Sequence, residues 1–408
     1  MFGKKHRILV TIILALTLVA VIGCSSPTPA PAPTTQAPAP TTQAPAPTTQ
    51  APAPTTQAPA PSPTFKSMVL SYANPLAANQ PQQWTETVKP WFEAVTARTN
   101  GAVTLRPYHD GSLLGLQEMA QGMKIGTAHL GNLQTSYYNT LLPAHTVDNI
   151  PYMGGPDPYK GSLIARIIWS EFEIFNQEIE RENMVNLFTA ATAPQDIIVK
   201  KEIKTLKDME GQRIRALGVY FPKLLSAVGI VPVAVSFADV YEAIQRGVLD
   251  GGMTAPVFIH NAQWDKLAKY LVEVRAIAIL ASGIQIVANM DTWKGLDPEL
   301  KKIMLEEAQK REQTFGKFMN AEDVRVQQEM VDVEKVIKVK LPEADMQEWV
   351  SKAPDVFGEY ARDMEAKGIP GNKIVDRIQE LVEMPLADVE KLAGEAWTRD
   401  AARLMAMK

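Results

Sequence analysis

Residues 211–256, GQRIRALGVYFPKLLSAVGIVPVAVSFADVYEAIQRGVLDGGMTAP, constrain this chain more than any other stretch. Residues 213–217 alternate as a short strand, Gly218 frees the backbone, and 220–228 carry apolar positions at helical spacing until Gly229 stops them. The plan then repeats. Residues 231–235 are β-branched and apolar, and Ser236 stands at a helix N-cap position. Phe237, Val240, Tyr241 and Ile244 keep helical spacing up to Gly247, and Leu249 opens a third strand. Successive strand–helix–strand units predict parallel strands joined by right-handed crossovers. Open sheets of that kind bind ligands beyond the carboxyl ends of their strands.

Arg215 stands near such an end. Its guanidinium is a planar fork of donors that fits a carboxylate or phosphate bidentately. An arginine beside a strand–helix turn also serves as an ordinary surface residue, and position alone leaves both readings open. Arg213, two residues earlier on the same strand face, is the competing candidate and lies deeper along the strand.

The α/β pattern extends to both sides of this block. Strands are predicted over 68–72, 103–108 and 129–133, alternating with helices over 82–98 and 116–125. A long helix is predicted over 159–181, with Leu163, Ile167, Ile168, Phe172 and Phe175 on one side. Strands follow at 185–189, 197–200 and 284–288. Residues 297–331 read as one helical pattern with Pro298 in its first turn, divisible only at Gly316. A strand over 336–341 precedes a mostly helical end, 343–408, with no functional motif.

Before the folded region stand a leader and a tether. Lys4, Lys5 and Arg7 precede an almost wholly apolar run over 8–22. That run is short of the roughly twenty residues a membrane-spanning helix needs, so 1–24 read as a secretory signal. Cys24, the only cysteine, closes the run after Gly23 in a pattern similar to a bacterial lipobox. An ordinary signal peptide with an incidental cysteine, or an uncleaved anchor, is the alternative. A lone cysteine in an exported protein has no internal disulfide partner. Lipidation at Cys24 is therefore expected, with the protein held on the outer side of the cell membrane or in the periplasm.

Residues 25–64 contain four copies of APAPTTQ, starting at Ala30, Ala37, Ala44 and Ala51, with no charge and no large apolar side chain between 25 and 64. Such a segment cannot bury a core and reads as an extended tether of up to about 120 Å. Without the leader's three basic residues the chain keeps 38 basic against 45 acidic residues, a formal charge of about −7. Nucleic acid is excluded as a partner by that charge and by the lack of any basic stripe with interleaved aromatics.

Reactive chemistry is thinly supplied. The four histidines beyond the leader, His109, His129, His145 and His260, lack metal-protease spacing, and there is neither a cysteine pair nor a nucleophile-elbow serine. His109-Asp110-Gly111 reads as a turn, and Gly154-Gly155 and Gly251-Gly252 lack the spacing of a phosphate loop. No cofactor and no metal are implied, and a binding protein is expected rather than an enzyme. Its cleft needs only a few convergent polar groups between apolar walls. Placement at strand ends puts Asn74, Gln134, Tyr137, Gln195, Arg215 and Thr254 there.

Several segments, in order, resemble one family. They are WFEAVTARTNG at 91–101, HDGSLLGLQE at 109–118, GMKIGTA at 122–128, DNIPYM at 148–153, the 211–251 block and 293–300. Together, across about 68–348, they resemble the DctP-type substrate-binding subunits of tripartite ATP-independent periplasmic (TRAP) transporters.

The resemblance implies a two-lobed, periplasmic-binding-protein-like α/β fold with doubly wound sheets and a long bracing helix. Lobe 1 would be 65–190, lobe 2 would be 191–283, and 284–408 would return to lobe 1. Two crossings between lobes would act as a hinge. It also implies that Arg215, last residue of a G-x-K-x-R-like motif, pairs with a substrate carboxylate. Tyr137 would match an aromatic position after the third strand, with simple packing as its alternative. Implied partners are a small organic acid and the membrane permease subunits. A sensing module using the same cleft, and an enzyme relying on substrate-supplied reactivity, are the other readings.

Two departures from the family pattern bear on the ligand. Where many dicarboxylate-binding members carry a further basic residue the chain has Ala193-Pro194-Gln195-Asp196, and where many carry D-G-x-E-N it has Asp250-Gly251-Gly252-Met253-Thr254. Without a second cation, a monocarboxylate with an apolar or hydroxylated remainder is expected.

Overall fold

A computed structural model describes residues 65–80, 84–151, 157–275 and 284–408. The expected leader, Cys24, the tether and Gly154-Gly155 lie outside the described residues. Eleven described strands pair into two sheets: β1 (Met68–Ala73), β2 (Val103–Tyr108), β3 (Leu130–Gln134), β4 (Met184–Ala190), β5 (Asp196–Val199), β6 (Arg213–Arg215), β7 (Val231–Val233), β8 (Gly251–Thr254), β9 (Tyr270–Val272), β10 (Ile284–Asn289) and β11 (Ile337–Val339). The first sheet has the order β2-β1-β3-β10-β4 and the second β11-β9-β5-β8-β6-β7.

Strand direction follows from where the chain crosses between sheets. β1 runs parallel to β2 and β3, and β6 parallel to β7 and β8, as strand–helix–strand repeats require. β5 and β10 are the strands that arrive from the other sheet. Each enters at the end where its neighbours finish, so it runs against them: Asp196 pairs with Thr254, and Ile284 pairs with both Gln134 and Ala190. The strand ends Gln134, Ala190 and Ile284 of one sheet and Asp196, Arg215 and Thr254 of the other therefore gather at one junction.

The helix Pro298–Asp332 ties the lobes together. Its first turns, with Leu300, Ile303, Met304 and Ala308, pack in the core of the first sheet beside Trp91 and Phe188. Its later turns, with Phe315, Met319, Val326 and Met330, pack in the core of the second beside Ile198 and Leu271. Gly316 does not divide it. A Cβ there would lie 2.7 Å from the Tyr159 ring, so the glycine lets the helix Pro158–Glu171 approach closely. Between these two helices Arg166 donates to Glu312 at 3.1 and 2.6 Å; it also donates at 2.9 Å to Asp400 of the helix Leu386–Ala406, and Thr189 N–H of β4 donates to Glu312.

Some expectations are corrected. The predicted helix 159–181 is two helices, Pro158–Glu171 and Glu173–Arg181, because Phe172 takes an extended backbone at φ −111° and ψ 101°. Asn176 Nδ2 donates to the Trp169 carbonyl freed near the break, and Phe175 stays buried on the far side. Apolar periodicity continues through that break, so spacing did not reveal it. Of the helix predicted over 82–98, residues 82 and 83 lie outside the described residues, and the α-helix begins at Val88, which keeps Pro90 in the first turn, where proline is tolerated. The strand at 336–341 narrows to Ile337–Val339, and it belongs to the second sheet, paired with β9, rather than to a return into the first. The following helix, Glu343–Lys352, also lies against the second lobe, where Trp349 Nε1 donates to the Leu224 carbonyl. The lobes are thus linked by more than two crossings.

Candidate functional site

Fourteen side chains line a cleft at the junction of the two sheets. Five of the six residues placed there by strand-end reasoning do line it: Gln134, Tyr137, Gln195, Arg215 and Thr254.

Asn74 does not line the cleft. It is fully buried, with Oδ1 accepting from Leu76 N–H and Nδ2 bonded to His109 Nδ1, so it holds the turn after β1. A strand-end asparagine is as apt to close its own turn as to face a crevice.

Arg215 ends β6 with 6% of its surface exposed. Its Nε donates to the Val235 carbonyl and its Nη1 to the Met253 carbonyl, each at 3.3 Å, and its Cζ lies 5.8 Å from the Phe237 ring centre. Burial pushes its pKa below the usual arginine value, while the Tyr137 phenol beside it works the other way. No carboxylate among the described residues pairs with it, although a guanidinium carries five donors.

Arg213 takes the opposite role on the same short strand. Its Nε and Nη2 grip Asp250 bidentately at 2.9 and 2.8 Å, and its backbone N–H donates to the same carboxylate. The side chain is 42% exposed and does not line the cleft. One arginine is committed to the fold and the other, two residues on, is left without a counter-charge.

Tyr137 sits in the 3₁₀ turn Thr135–Tyr137 after β3 and reaches the other lobe, its phenol oxygen accepting from Phe237 N–H at 3.3 Å. Its neighbour Tyr138 is the packing residue, with Oη donating to the Leu116 carbonyl. A buried pair supports the turn from behind: Thr135 Oγ1 donates to Asp148, which is bonded to His145 at 3.2 Å.

Residues that the sequence reading did not select complete the cleft. Leu76, Leu217, Phe221, Phe237, Phe258 and Ile284 form apolar walls, and Ser136, Asn149 and Thr192 add polar atoms. Asn149 belongs to the DNIPYM segment at 148–153 and Thr192 to the crossing between β4 and β5, so each lay close to a recognisable signal. Among the described residues of the lining, Arg215 is the one that is formally charged.

Two lobes that meet at a cleft formed by strand ends define a periplasmic-binding-protein-like receptor. The chain belongs to the DctP family of bacterial extracellular solute-binding proteins, family 7, whose model matches residues 75–363, and it is a TRAP transporter substrate-binding protein. It is 22% identical over 300 residues to the 2,3-diketo-L-gulonate-binding periplasmic protein YiaO of Escherichia coli, covering 71% of this chain and 87% of that one. Among solved structures it is similar to a TRAP periplasmic solute-binding protein from Desulfovibrio salexigens, with TM-score 0.65, 25% identity, and 78% and 96% of the chains covered. It is also similar to a TRAP solute-binding protein from Rhodoferax ferrireducens in complex with copurified benzoate. There the TM-score is 0.71 and the identity 20%, covering 80% of this chain and all of that one.

Proposed function

We propose that this protein is an extracytoplasmic receptor that binds an organic acid with a single carboxylate, held by Arg215, and delivers it to the membrane subunits of a TRAP transporter. One observation carries the reading. Arg215 is buried in an aromatic-walled cleft, and its guanidinium has no carboxylate of the described residues to pair with. A ligand carboxylate would supply the missing charge through bidentate, charge-assisted hydrogen bonds. A second ligand carboxylate would enter without a cation and incur an uncompensated desolvation cost.

Neighbours of the same fold are described with benzoate, 3-hydroxybenzoate or pyroglutamate, each with one carboxylate, which supports the class without fixing the compound. In the same reading Cys24 carries the lipid that holds the receptor outside the cell membrane, and residues 25–64 give it reach.

The test is thermal unfolding of residues 65–408 against mono- and dicarboxylates and their neutral amides, repeated with Arg215→Ala. Stabilisation by monocarboxylates that disappears in the variant is expected. An unchanged shift in Arg215→Ala, or tightest binding of a dicarboxylate, would refute it.

A further inference from the structure

Three segments of the first lobe that line the cleft share one support behind its wall. Thr135 stands between Gln134 and Ser136, Asp148 precedes Asn149, and Gln285 follows Ile284, each of these neighbours being part of the lining. Thr135 Oγ1 donates to Asp148 Oδ2 at 3.2 Å, the same oxygen lies 3.2 Å from His145 Nδ1, and Gln285 Nε2 lies 3.1 Å from that nitrogen. All four side chains are buried, His145 and Asp148 at 2% exposure. The turn after β3, the 3₁₀ segment Ala144–Asn149 and the start of β10 thus meet at a single histidine–carboxylate pair.

Hydrogen bonding fixes where a proton must lie. The other ring nitrogen, Nε2, is 3.2 Å from the Phe175 carbonyl, which can only accept, so Nε2 carries a hydrogen. In a neutral ring Nδ1 would then aim a lone pair at a carboxylate oxygen 3.2 Å away. A proton between the two removes that repulsion. Its place is on the ring, because Asp148 Oδ2 already accepts from the Thr135 hydroxyl and a second buried carboxylate, Glu178, stands close by. Glu178 accepts from Ala144 N–H at 2.8 and 3.1 Å and from His145 N–H at 3.4 Å. The Gln285 amide suits this state, since its oxygen and nitrogen exchange places by a half-turn.

We infer that His145 is a buried imidazolium and the positioning residue of the cleft's first-lobe wall, holding the turn 134–137, Asn149 and the start of β10 opposite Arg215. Burial opposes the charge, yet Asp148 and Glu178 outweigh it and raise the His145 pKa above the ordinary value. Burial pushes the Asp148 and Glu178 carboxyls up, and the imidazolium pulls both back. The other titratable groups around the pair are Arg181 beside Glu178, the Tyr360 phenol, which donates to the Ala144 carbonyl, and Tyr220 beyond it. The rings of Trp169 and Phe175, with centroids 5.2 and 5.0 Å away, complete the surroundings. A raised histidine gives its support in full below about pH 6.5 and loses it as pH rises through the folded pKa. Only the effect on ligand binding rests on the Arg215 reading.

The test begins on the protein without ligand. Nitrogen-15 spectra of the imidazoles report the protonation of each ring, and the signal missing from His145→Gln assigns this one. At about pH 7 the ring is expected to be an imidazolium in the wild type and neutral in Asp148→Asn. Hydrogen exchange read by mass spectrometry and corrected for intrinsic rates follows the segments. From about pH 7 to about pH 9.5, protection over 134–137, 144–149 and 284–289 should fall together, by up to about tenfold per pH unit above the folded pKa, while β6 and β8 keep theirs. The same three segments should lose protection at about pH 7 in Asp148→Asn. Calorimetry at that pH should show benzoate and pyroglutamate binding about three- to tenfold more weakly to the variant.

A neutral ring in the wild type at about pH 7, or an equally charged one in Asp148→Asn, overturns the imidazolium. Protection that stays flat with pH or is lost only over 144–149, or affinities equal to those of the wild type, overturns the positioning role. If Asp148→Asn does not fold, His145→Gln carries the exchange and affinity comparisons. Failure of both acids to bind the wild type counts against the Arg215 reading alone, and the ring signals and exchange still decide the role of His145.

Discussion

The phenol oxygen of Tyr137 accepts a hydrogen bond from the backbone N–H of Phe237 at 3.3 Å, joining the turn after β3 to the segment after β7 across the cleft. The same tyrosine lies beside Arg215, and Phe237 stands 5.8 Å from that guanidinium. One contact between the two lobes and the setting of the cation thus involve the same three residues.

Replacing Tyr137 by phenylalanine keeps the ring and removes the interlobe bond. A neutral hydrogen bond of this kind contributes about 0.5–1.5 kcal/mol, so Tyr137→Phe should weaken ligand binding by about two- to tenfold, mostly through faster release. Stopped-flow displacement would measure the release rate; a rate equal to that of the wild type would reduce Tyr137 to a packing residue.

Arg213 and Arg215 should separate cleanly. Arg213 is held by Asp250 at the half-exposed base of the strand, so Arg213→Ala is expected to lower the thermal midpoint and to leave ligand affinity within about twofold. Arg215→Ala is expected to remove about 2–5 kcal/mol of binding, since a desolvated charge pair loses one member. Calorimetry and melting on both variants decide the matter. A large affinity loss in Arg213→Ala would put the anchor on the wrong arginine.

What could be read from the sequence divides by physical cause. The Arg215 block was legible because short strands and helices of fixed period leave few choices for where a strand ends. Asn149 and Thr192 were not, because the end of a 3₁₀ segment and a crossing between strands are placed by packing between lobes and not by any local period; Phe237 kept its helical spacing, which does not tell that its ring stands 5.8 Å from the Arg215 guanidinium. The break at Phe172 was hidden for a related reason: both helices beside it bury the same kind of face. Asn74 failed in the opposite direction, since its amide closes its own turn at Leu76 and binds His109. β11 was assigned to the wrong lobe because a three-residue strand carries no mark of which sheet edge it joins.

The stability of the second lobe should depend on pH through His260. Its Nδ1 lies 2.6 Å from Asp265 Oδ2 and its Nε2 3.7 Å from Glu329, and the Asp265 bond raises its pKa above the ordinary histidine value, against the opposing effect of partial burial. A group whose folded pKa is raised contributes stability that is fully present below the unfolded value of about 6.5 and is lost as pH rises through the folded one. The wild-type midpoint should therefore fall relative to that of His260→Gln as the buffer is taken from about pH 5.5 to about pH 8.5. Melting curves of the two proteins that stay parallel over that range would rule the contribution out.

Gly218 makes the last prediction, because two independent constraints meet there. Its φ of +80° is open to glycine and strained for any side chain, and a Cβ would press on Asn149 at 3.2 Å. The backbone term alone costs about 1–2 kcal/mol and acts on the folded protein with or without ligand. The steric term acts only where the loop after β6 meets Asn149, a cleft residue of the other lobe. Gly218→Ala should accordingly lower the thermal midpoint modestly and weaken ligand binding by more than the stability loss explains, about tenfold or beyond. Small-angle scattering with saturating ligand would then show a larger radius of gyration than for the wild type. Equal radii with equal affinities would mean that the loop yields without cost, and that Asn149 is not clamped by it.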